Sequence, residues 1–445
     1  MGLANKQDVM AAAPVLLLLL ARGALAQAPA ELADMSVCAA NGFPSWASLN
    51  PYLSRLDLAS PYGKSSSAPL FMPLFASHPL AGAVPDPSVT TLAIFLHGLS
   101  GAAQTYFCAG MAASAGRDAL VVAPWHGDEQ QNSTFWCTGV SCTPSAAAFS
   151  AYWTTSRWLT GGNISPGATG AAQFTTAFDI MDALILNATR SGLFPNLKQV
   201  SLLGFSAGSQ FFSRYLWGSR LGADAAASGG VPVRAIISDP GSFLYLTPER
   251  PGAACRPLAD SGGSAAPCAD WAAPAPADCG GYNEYKFGIE PGSFGALNAY
   301  MAPFDGSAAL RAAATAAMGK KDIVFILGEE DACNCNTPAY KNAAVCFPEG
   351  GSLQCPPDAS GGAGCCDTYP DSRSSNALDT GCAAMLQGSN RLQRGLLYVQ
   401  HLDRVFPARA AGPFARTIVA GMGHNNSAEY ASAAFKAAAY WAPAR

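Results

Sequence analysis

One five-residue turn constrains this chain more than any other feature: Gly204-Phe205-Ser206-Ala207-Gly208, which follows the apolar run Val200–Leu203 and precedes a helical stretch ending near Gly218. A G-x-S-x-G turn between strand and helix forces its serine into a strained conformation with the hydroxyl exposed. The flanking glycines let strand and helix pack without a side-chain clash. The helix N-terminus beside the serine also favours developing negative charge. A glycine-rich turn in which Ser206 is an ordinary helix cap is the plain alternative, and the strand before it and helix after it weigh against that.

The rest of the chain supplies that setting. Thr91–Leu96, Ala119–Trp125, Gln199–Phe205, Val233–Ser238, Asp322–Leu327 and Thr417–Ala420 are short apolar runs bounded by turns, the form of buried strands. Between them lie helical stretches. Ala171–Thr189 carries Phe174, Phe178, Met181, Ile185 and Leu186 near helical spacing, and further helices are expected at Ala207–Gly218, around Ala383–Phe406 and at Ser427–Trp441. This alternation predicts an α/β class and one doubly wound domain, a mostly parallel sheet with helices on both faces. The domain is expected over residues 69–445, after an N-terminal extension at 27–68 that Cys38 tethers. Two long insertions interrupt it, about 241–318, rich in Pro, Gly and Ala, and about 332–380, crowded with cysteine. Both follow the carboxyl ends of strands, where open α/β sheets bind ligands, so they are candidates for a lid or rim.

The N-terminus reads as an export signal. Lys6 precedes the apolar run Ala11–Ala21, which Ala24-Leu25-Ala26 follows, so residues 1–26 are expected to be a signal peptide cleaved after Ala26. The run falls short of the roughly 20 residues that span a bilayer, and no later segment is long and apolar enough. The 14 cysteines suit an oxidising, extracellular compartment. Asn132, Asn163, Asn187 and Asn425 each begin an N-x-S/T acceptor pattern, and Asn425 is expected to be unmodified or to point its glycan away from His424. A net charge of -4 without runs of like charge gives no reason to expect a nucleic-acid partner.

A serine hydroxyl needs a base, and the chain has five histidines. His424, in Gly421-Met422-Gly423-His424 just after a strand, is the candidate. His78 and His401 lie outside any strand end, and His97 before Gly98 reads as a residue that shapes a loop. The acid is expected after the strand Asp322–Leu327, where Glu329, Glu330 and Asp331 stand in a row; Asp331 is favoured, with Asp239, after Val233–Ser238, as the alternative. Two backbone N–H groups are expected to face a developing oxyanion, that of Ala207 and that of Leu99 or Ser100. Tyr106, Phe107 and Phe205 are candidate pocket walls.

The segments PLFMPLFASHPL, LAIFLHG, FPNLKQVSLLGFSAGSQFFSRYLWG, SDPGSFLYLTPERP, DIVFILGEED and VAGMGH resemble a secreted microbial α/β-hydrolase family whose substrates are mostly unassigned. The likeness runs from about Pro69 to His424. It implies the α/β-hydrolase fold and a serine hydrolase whose triad falls on Ser206, Asp331 and His424. Phe205 and Ser209 stand where that family's elbow commonly reads G-H-S-x-G-G.

The expected chemistry is carboxylic-ester hydrolysis through an acyl-enzyme on a small or polymeric ester, without cofactor or metal. The same parts would serve a peptidase or lyase, and a non-catalytic recognition module on the same fold is the runner-up class. Cys333, Cys335, Cys346, Cys355, Cys365, Cys366 and Cys382 cluster beside the acid; lacking histidine and paired C-x-x-C spacing, they read as disulfide partners and not as a zinc site. His126, Asp128 and Glu129 read as loop residues. Oligomeric state has no signature in the sequence.

Overall fold

The computed structural model describes residues 35–58, 70–82, 84–127, 149–153, 155–165, 175–219, 221, 228–252, 255, 268–295, 298–329, 331, 378–379, 381–388 and 390–441. The expected signal peptide, most of the Cys-rich insertion and Asn132 lie outside them.

The strands are β1 (Leu53–Leu58), β2 (Leu70–Ala76), β3 (Thr91–Leu96), β4 (Ala119–Pro124), β5 (Phe149–Ser150), β6 (Gln199–Phe205), β7 (Val233–Ser238), β8 (Arg250–Pro251), β9 (Trp271–Ala272), β10 (Asp322–Gly328) and β11 (Ala415–Val419). The main sheet runs β1-β2-β4-β3-β6-β7-β10-β11, with β5 paired to β2, while β8 and β9 form a separate ribbon. Strand β2 is antiparallel to β1 and β4, and every pair from β4 to β11 is parallel. That order, with its one reversed strand and a strand-turn-helix serine at the middle of the sheet, is the α/β-hydrolase fold.

The parallel strands are buried because helices cover both faces, and their side chains alternate between two cores. In β3, Leu92, Ile94 and Leu96 enter one core while Ala93 and Phe95 enter the other. The helices used below are α1 (Ala103–Ala113), α2 (Ala177–Arg190), α3 (Ala207–Gly218), α4 (Ala308–Met318), α5 (Arg391–Val405), α6 (Asn426–Ala431) and α7 (Ala433–Ala439). Residues of α2 and α3 fill the first core, and those of α1, α6 and α7 the second. Thr176 and Asp179 start α2 with a capping box: the Asp179 N–H donates to Thr176 Oγ1 (3.1 Å) and the Thr176 N–H to Asp179 Oδ2 (2.9 Å).

The structure departs from the sequence reading in four places. Strands β1 and β2 precede the first expected strand, so the segment read as an extension contributes an edge strand to the sheet. The helix expected around Ala383–Phe406 is two, Cys382–Met385 and α5, parted by Gly388 at φ 138 and restarted by the Asn390 cap on the Gln393 N–H. The closing helix breaks at Ser432, whose side chain caps α7. The stretch 241–318 ends in α4, the crossover helix leading into β10.

Residues 241–246 are buried and stitched to the segment and helix that pack against them. Phe243 and Gln387 exchange two hydrogen bonds (2.7 and 2.8 Å), Tyr398 donates to Leu244 O (3.0 Å), and His401 Nε2 accepts from the Leu246 N–H (3.0 Å). His401 is therefore a buried, satisfied core histidine, as expected for a helix-face residue. Cysteine pairs join Cys38 to Cys108, Cys255 to Cys268 and Cys279 to Cys382. The first ties the N-terminal segment to α1, as expected of Cys38.

Because the Cys38–Cys108 link spans 70 residues, replacing Cys38 with Ala is expected to lower unfolding free energy. The loss should be about 2–5 kcal/mol in urea denaturation.

Candidate active site

Among the described residues two non-glycines have positive φ, and they lie side by side at the carboxyl ends of β6 and β7: Ser206 (φ 55) and Asp239 (φ 45). Side chains rarely adopt this region, so each position is held by its surroundings at a cost of about 1–3 kcal/mol. The glycines explain how the Ser206 turn is held. A Cβ on Gly208 would collide with the Leu96 carbonyl oxygen, and one on Gly204 would sit 2.7 Å from the Ser209 nitrogen. Only glycine lets α3 approach the ends of β3 and β6 this closely. Ser209 then fastens the turn to β7, its Oγ accepting the Ser238 N–H at 2.6 Å, while the Ser206 N–H donates to Ser238 O at 2.9 Å.

The two partners arrive from the next strands. His424 Nε2 lies 2.9 Å from Ser206 Oγ, and His424 Nδ1 lies 2.6 Å from Asp331 Oδ2. With Nδ1 protonated, the ring donates to Asp331 and accepts the Ser206 hydroxyl proton. The loops behind these residues are fixed: Glu329, exposed, accepts the Gly421 N–H (2.9 Å), and Asp331 O accepts the Leu392 N–H (3.1 Å). Of the two described acids in that row, Glu329 and Asp331, Asp331 is the one that reaches the histidine; Glu330 lies outside the described residues. Asp239 does not contact the His424 ring by a hydrogen bond; both its oxygens accept the Gly328 N–H (3.0 and 3.2 Å).

Arg391, which the sequence reading missed, sits on Asp331 with Nη1 3.4 Å from Oδ1, both side chains 3% exposed. Burial pushes the Asp331 carboxyl up, but His424 and then Arg391 outweigh it and hold it below the ordinary aspartate value. Burial and Arg391 together lower the His424 imidazole below 6.5, against Asp331, which raises it. The imidazole is therefore neutral at physiological pH, as a proton acceptor must be. Asp239, Asp331 and His424 each present one atom within 4.8 Å of the others, a spacing at which an ion also fits. The hydrogen bonds of Asp331 to His424 and of Asp239 to Gly328 already account for the grouping.

The loop after β3 is locked from below. His97, fully buried, donates from Nδ1 to Gly98 O (2.7 Å) and accepts the His126 N–H at Nε2 (3.0 Å). Burial lowers it to about 4, so it stays neutral and keeps its acceptor. Since the carbonyl and N–H of one trans peptide point oppositely, fixing Gly98 O fixes the direction of the Leu99 N–H. A Cβ on Gly98 would sit 3.8 Å from Ser206 Cβ and 3.0 Å from the Tyr106 hydroxyl, which puts the loop beside the serine. The Ala207 N–H begins α3, where the helix supplies no acceptor. Leu99 itself is 40% exposed.

The three aromatic candidates separate. Tyr106 stays beside Gly98. Phe205 is buried with its ring centroid 4.5 Å from that of His424, so it backs the imidazole and does not wall an open pocket. Phe107 packs on Tyr52 (5.3 Å) and Phe75 (5.6 Å) in the core, which corrects its reading as a pocket wall. Successive helical residues point about 100° apart, so Tyr106 and Phe107 cannot share one wall. Asn425 is exposed, and its Oδ1 accepts the Ser427 and Ala428 N–H groups as the cap of α6. His78, far from this group in the fold's connectivity, pairs with Ser77 and Asp86.

No family model matches the chain, and no curated protein matches it. Among solved structures, a poly(3-hydroxybutyrate) depolymerase from Bordetella parapertussis is similar over 85% of this chain and 87% of its own, with 15% identity and a TM-score of 0.44. A poly(aspartic acid) hydrolase from Sphingomonas sp. KT-1 is similar over 84% and 94%, with 14% identity and a TM-score of 0.42. A siderophore hydrolase from Aspergillus nidulans is similar over 87% and 94%, with 11% identity and a TM-score of 0.33. The fold stands on strand order and direction, independently of these likenesses.

In an NMR titration the His424 imidazole is expected to titrate below 6.5. Arg391→Met removes a positive charge from beside it, so its titration should move to higher pH.

Proposed function

We propose that this chain is a secreted serine hydrolase acting on carboxylic esters through an acyl-enzyme, with Ser206 as nucleophile, His424 as base and Asp331 as the acid. The observation that carries this reading is the continuous chain of hydrogen bonds, 2.9 Å from Ser206 to His424 and 2.6 Å from His424 to Asp331, on a strained elbow at the strand ends.

In the proposed reaction Ser206 Oγ attacks the ester carbonyl as its proton passes to His424 Nε2. Asp331 stabilises the imidazolium and holds the ring through Nδ1. The tetrahedral oxyanion is received by the N–H groups of Ala207 and Leu99, worth roughly 3 kcal/mol each in such sites. Collapse expels the alcohol, which takes the proton from His424. Water then attacks the acyl-Ser206, with His424 again as base, and releases the carboxylic acid. No cofactor or metal enters this scheme.

Export rests on the signal-peptide layout of residues 1–26 and on the cysteine pairs, and no helix among the described residues is long and apolar enough to cross a membrane. Residues 27–445 are then the mature chain, in which the N-terminal segment 27–68 adds β1 to the sheet of the catalytic domain spanning 69–445.

Turnover of p-nitrophenyl esters of increasing acyl length tests the reading. Ser206→Ala is expected to cut kcat by at least about 10³-fold, and Asp331→Ala far more than Asp239→Ala. Wild-type protein that is folded but inert across the series would move the assignment to a recognition module.

A further inference from the structure

Behind the Asp331–His424 pair lie two more carboxyls that the scheme above does not use. Asp239 and Glu429 are both fully buried. Asp239 follows β7 in a strained backbone conformation, and both its oxygens lie on the Gly328 N–H, at the root of the loop that carries Asp331. Glu429 comes from α6, the helix that His424 leads into, and neither of its carboxyl oxygens has a hydrogen-bond partner among the described residues. The Ser238 hydroxyl lies near enough to favour the ionised form slightly, without a well-formed hydrogen bond.

The charge around this group decides its state. Asp331 is matched by Arg391 from α5 and bonded to His424 from the loop after β11. Arg391 also acts on Asp239, but more weakly than burial and the Asp331 charge oppose ionisation there. On Glu429 no cation among the described residues acts; burial comes first and Asp239 second, both against ionisation. Tyr430, the next residue on α6, presents a neutral hydroxyl, as burial keeps it protonated. Three carboxylates against one guanidinium, sealed from water, cannot all be charged.

We propose that Asp239 and Glu429 are a neutral acid pair: Asp239 is a positioning residue that holds the Asp331 loop through Gly328, and the neutrality of both leaves a single negative charge beside His424. Asp239 is then not a spare triad acid. Its carboxyl ties β10 to β7 as a hydrogen-bond acceptor, and Glu429 lies close enough for either charge to oppose the other. An ionised Asp239 would place a second anion within 4.8 Å of the imidazole and raise its proton affinity, leaving less of it free as a base near neutral pH. The inference on His424 rests on the proposed hydrolase reading, whereas the protonation states do not.

Difference infrared spectroscopy of the wild type at neutral pH reads them directly. A protonated carboxylic-acid C=O band is expected, diminished in Asp239→Asn and in Glu429→Gln; its absence from the wild type overturns the proposal. Stability gives a second readout. The folded chain keeps a proton that unfolded Glu429 releases above 4.5, so the wild type loses stability as pH rises past that value. Glu429→Gln is expected to have the higher Tm at neutral pH, with a gap that closes towards pH 4.5; a pH-independent gap contradicts the proposal. For ester turnover, Asp239→Asn keeps the acceptor and the neutrality, so kcat/KM and its acid limb should hold. Asp239→Ala loses the tie to Gly328 and should drop kcat about tenfold or more. An acid limb shifted to lower pH in Asp239→Asn means that Asp239 was charged, and sinks the proposal. Loss of all turnover with the infrared band intact would count against the hydrolase reading and leave the acid pair standing.

Discussion

The close approach of α3 to the ends of β3 and β6 is the constraint on which the site depends. It exists because Gly204 and Gly208 carry no side chain where Leu96, Ser209 and the helix backbone meet. That contact forces the backbone at Ser206 into positive φ, lifts its hydroxyl above the sheet edge, and brings the first N–H of the helix beside it. Two hydrogen bonds to β7, from the Ser206 N–H to Ser238 O and from the Ser238 N–H to Ser209 Oγ, hold the strained turn in place. Everything else at the site is hung from neighbouring strand ends around this one point.

Burial then sets the chemistry of those strand ends. His97, His424 and His401 all lose proton affinity to it, and each remains a neutral ring that accepts one hydrogen bond: from the His126 N–H, from Ser206 and from the Leu246 N–H. His97 uses this to fix the loop that carries Leu99, and His401 to hold the buried segment at Leu246. Around Asp331 the same burial has the opposite effect, because Arg391 and His424 compensate its charge while Asp239 and Glu429 lack a comparable partner. One low-dielectric pocket thus sorts chemically identical carboxyls into charged and neutral ones by their neighbours alone.

The central strands were legible because strands buried on both faces read as continuous apolar runs, and TLAIFL, ALVVAP and QVSLLGF stand out from turn-rich surroundings. Strand β1 reads LSRLDL, with no continuous apolar run, and β2 reads LFMPLFA, an apolar run broken by Pro73; β1 is a strand through its pairing with β2, which pairs with β4 in turn. The break at Ser432 escaped notice because the Ala-rich text around it favours helix, and the one at Gly388 because Met, Leu, Gln and Arg on either side favour helix as well. Ser206, Asp331 and His424 were legible because each stands within a few residues of a strand's carboxyl end. Asp239 shares that position, and sequence alone left it as a rival to Asp331; the structure places it on Gly328 instead. Arg391 and Glu429 had no signature, since they reach the site from helices whose facing is decided by packing. Phe107 was misjudged for the same reason.

Whether Ser206 is a nucleophile activated by His424 is read from a fluorophosphonate adduct mapped by mass spectrometry. The reagent is expected to add once per chain, on the peptide carrying Ser206, at a rate that rises with pH as His424 loses its proton and that collapses in His424→Ala. Folded protein that takes up no reagent, or an adduct on another residue with Ser206 untouched, would contradict it.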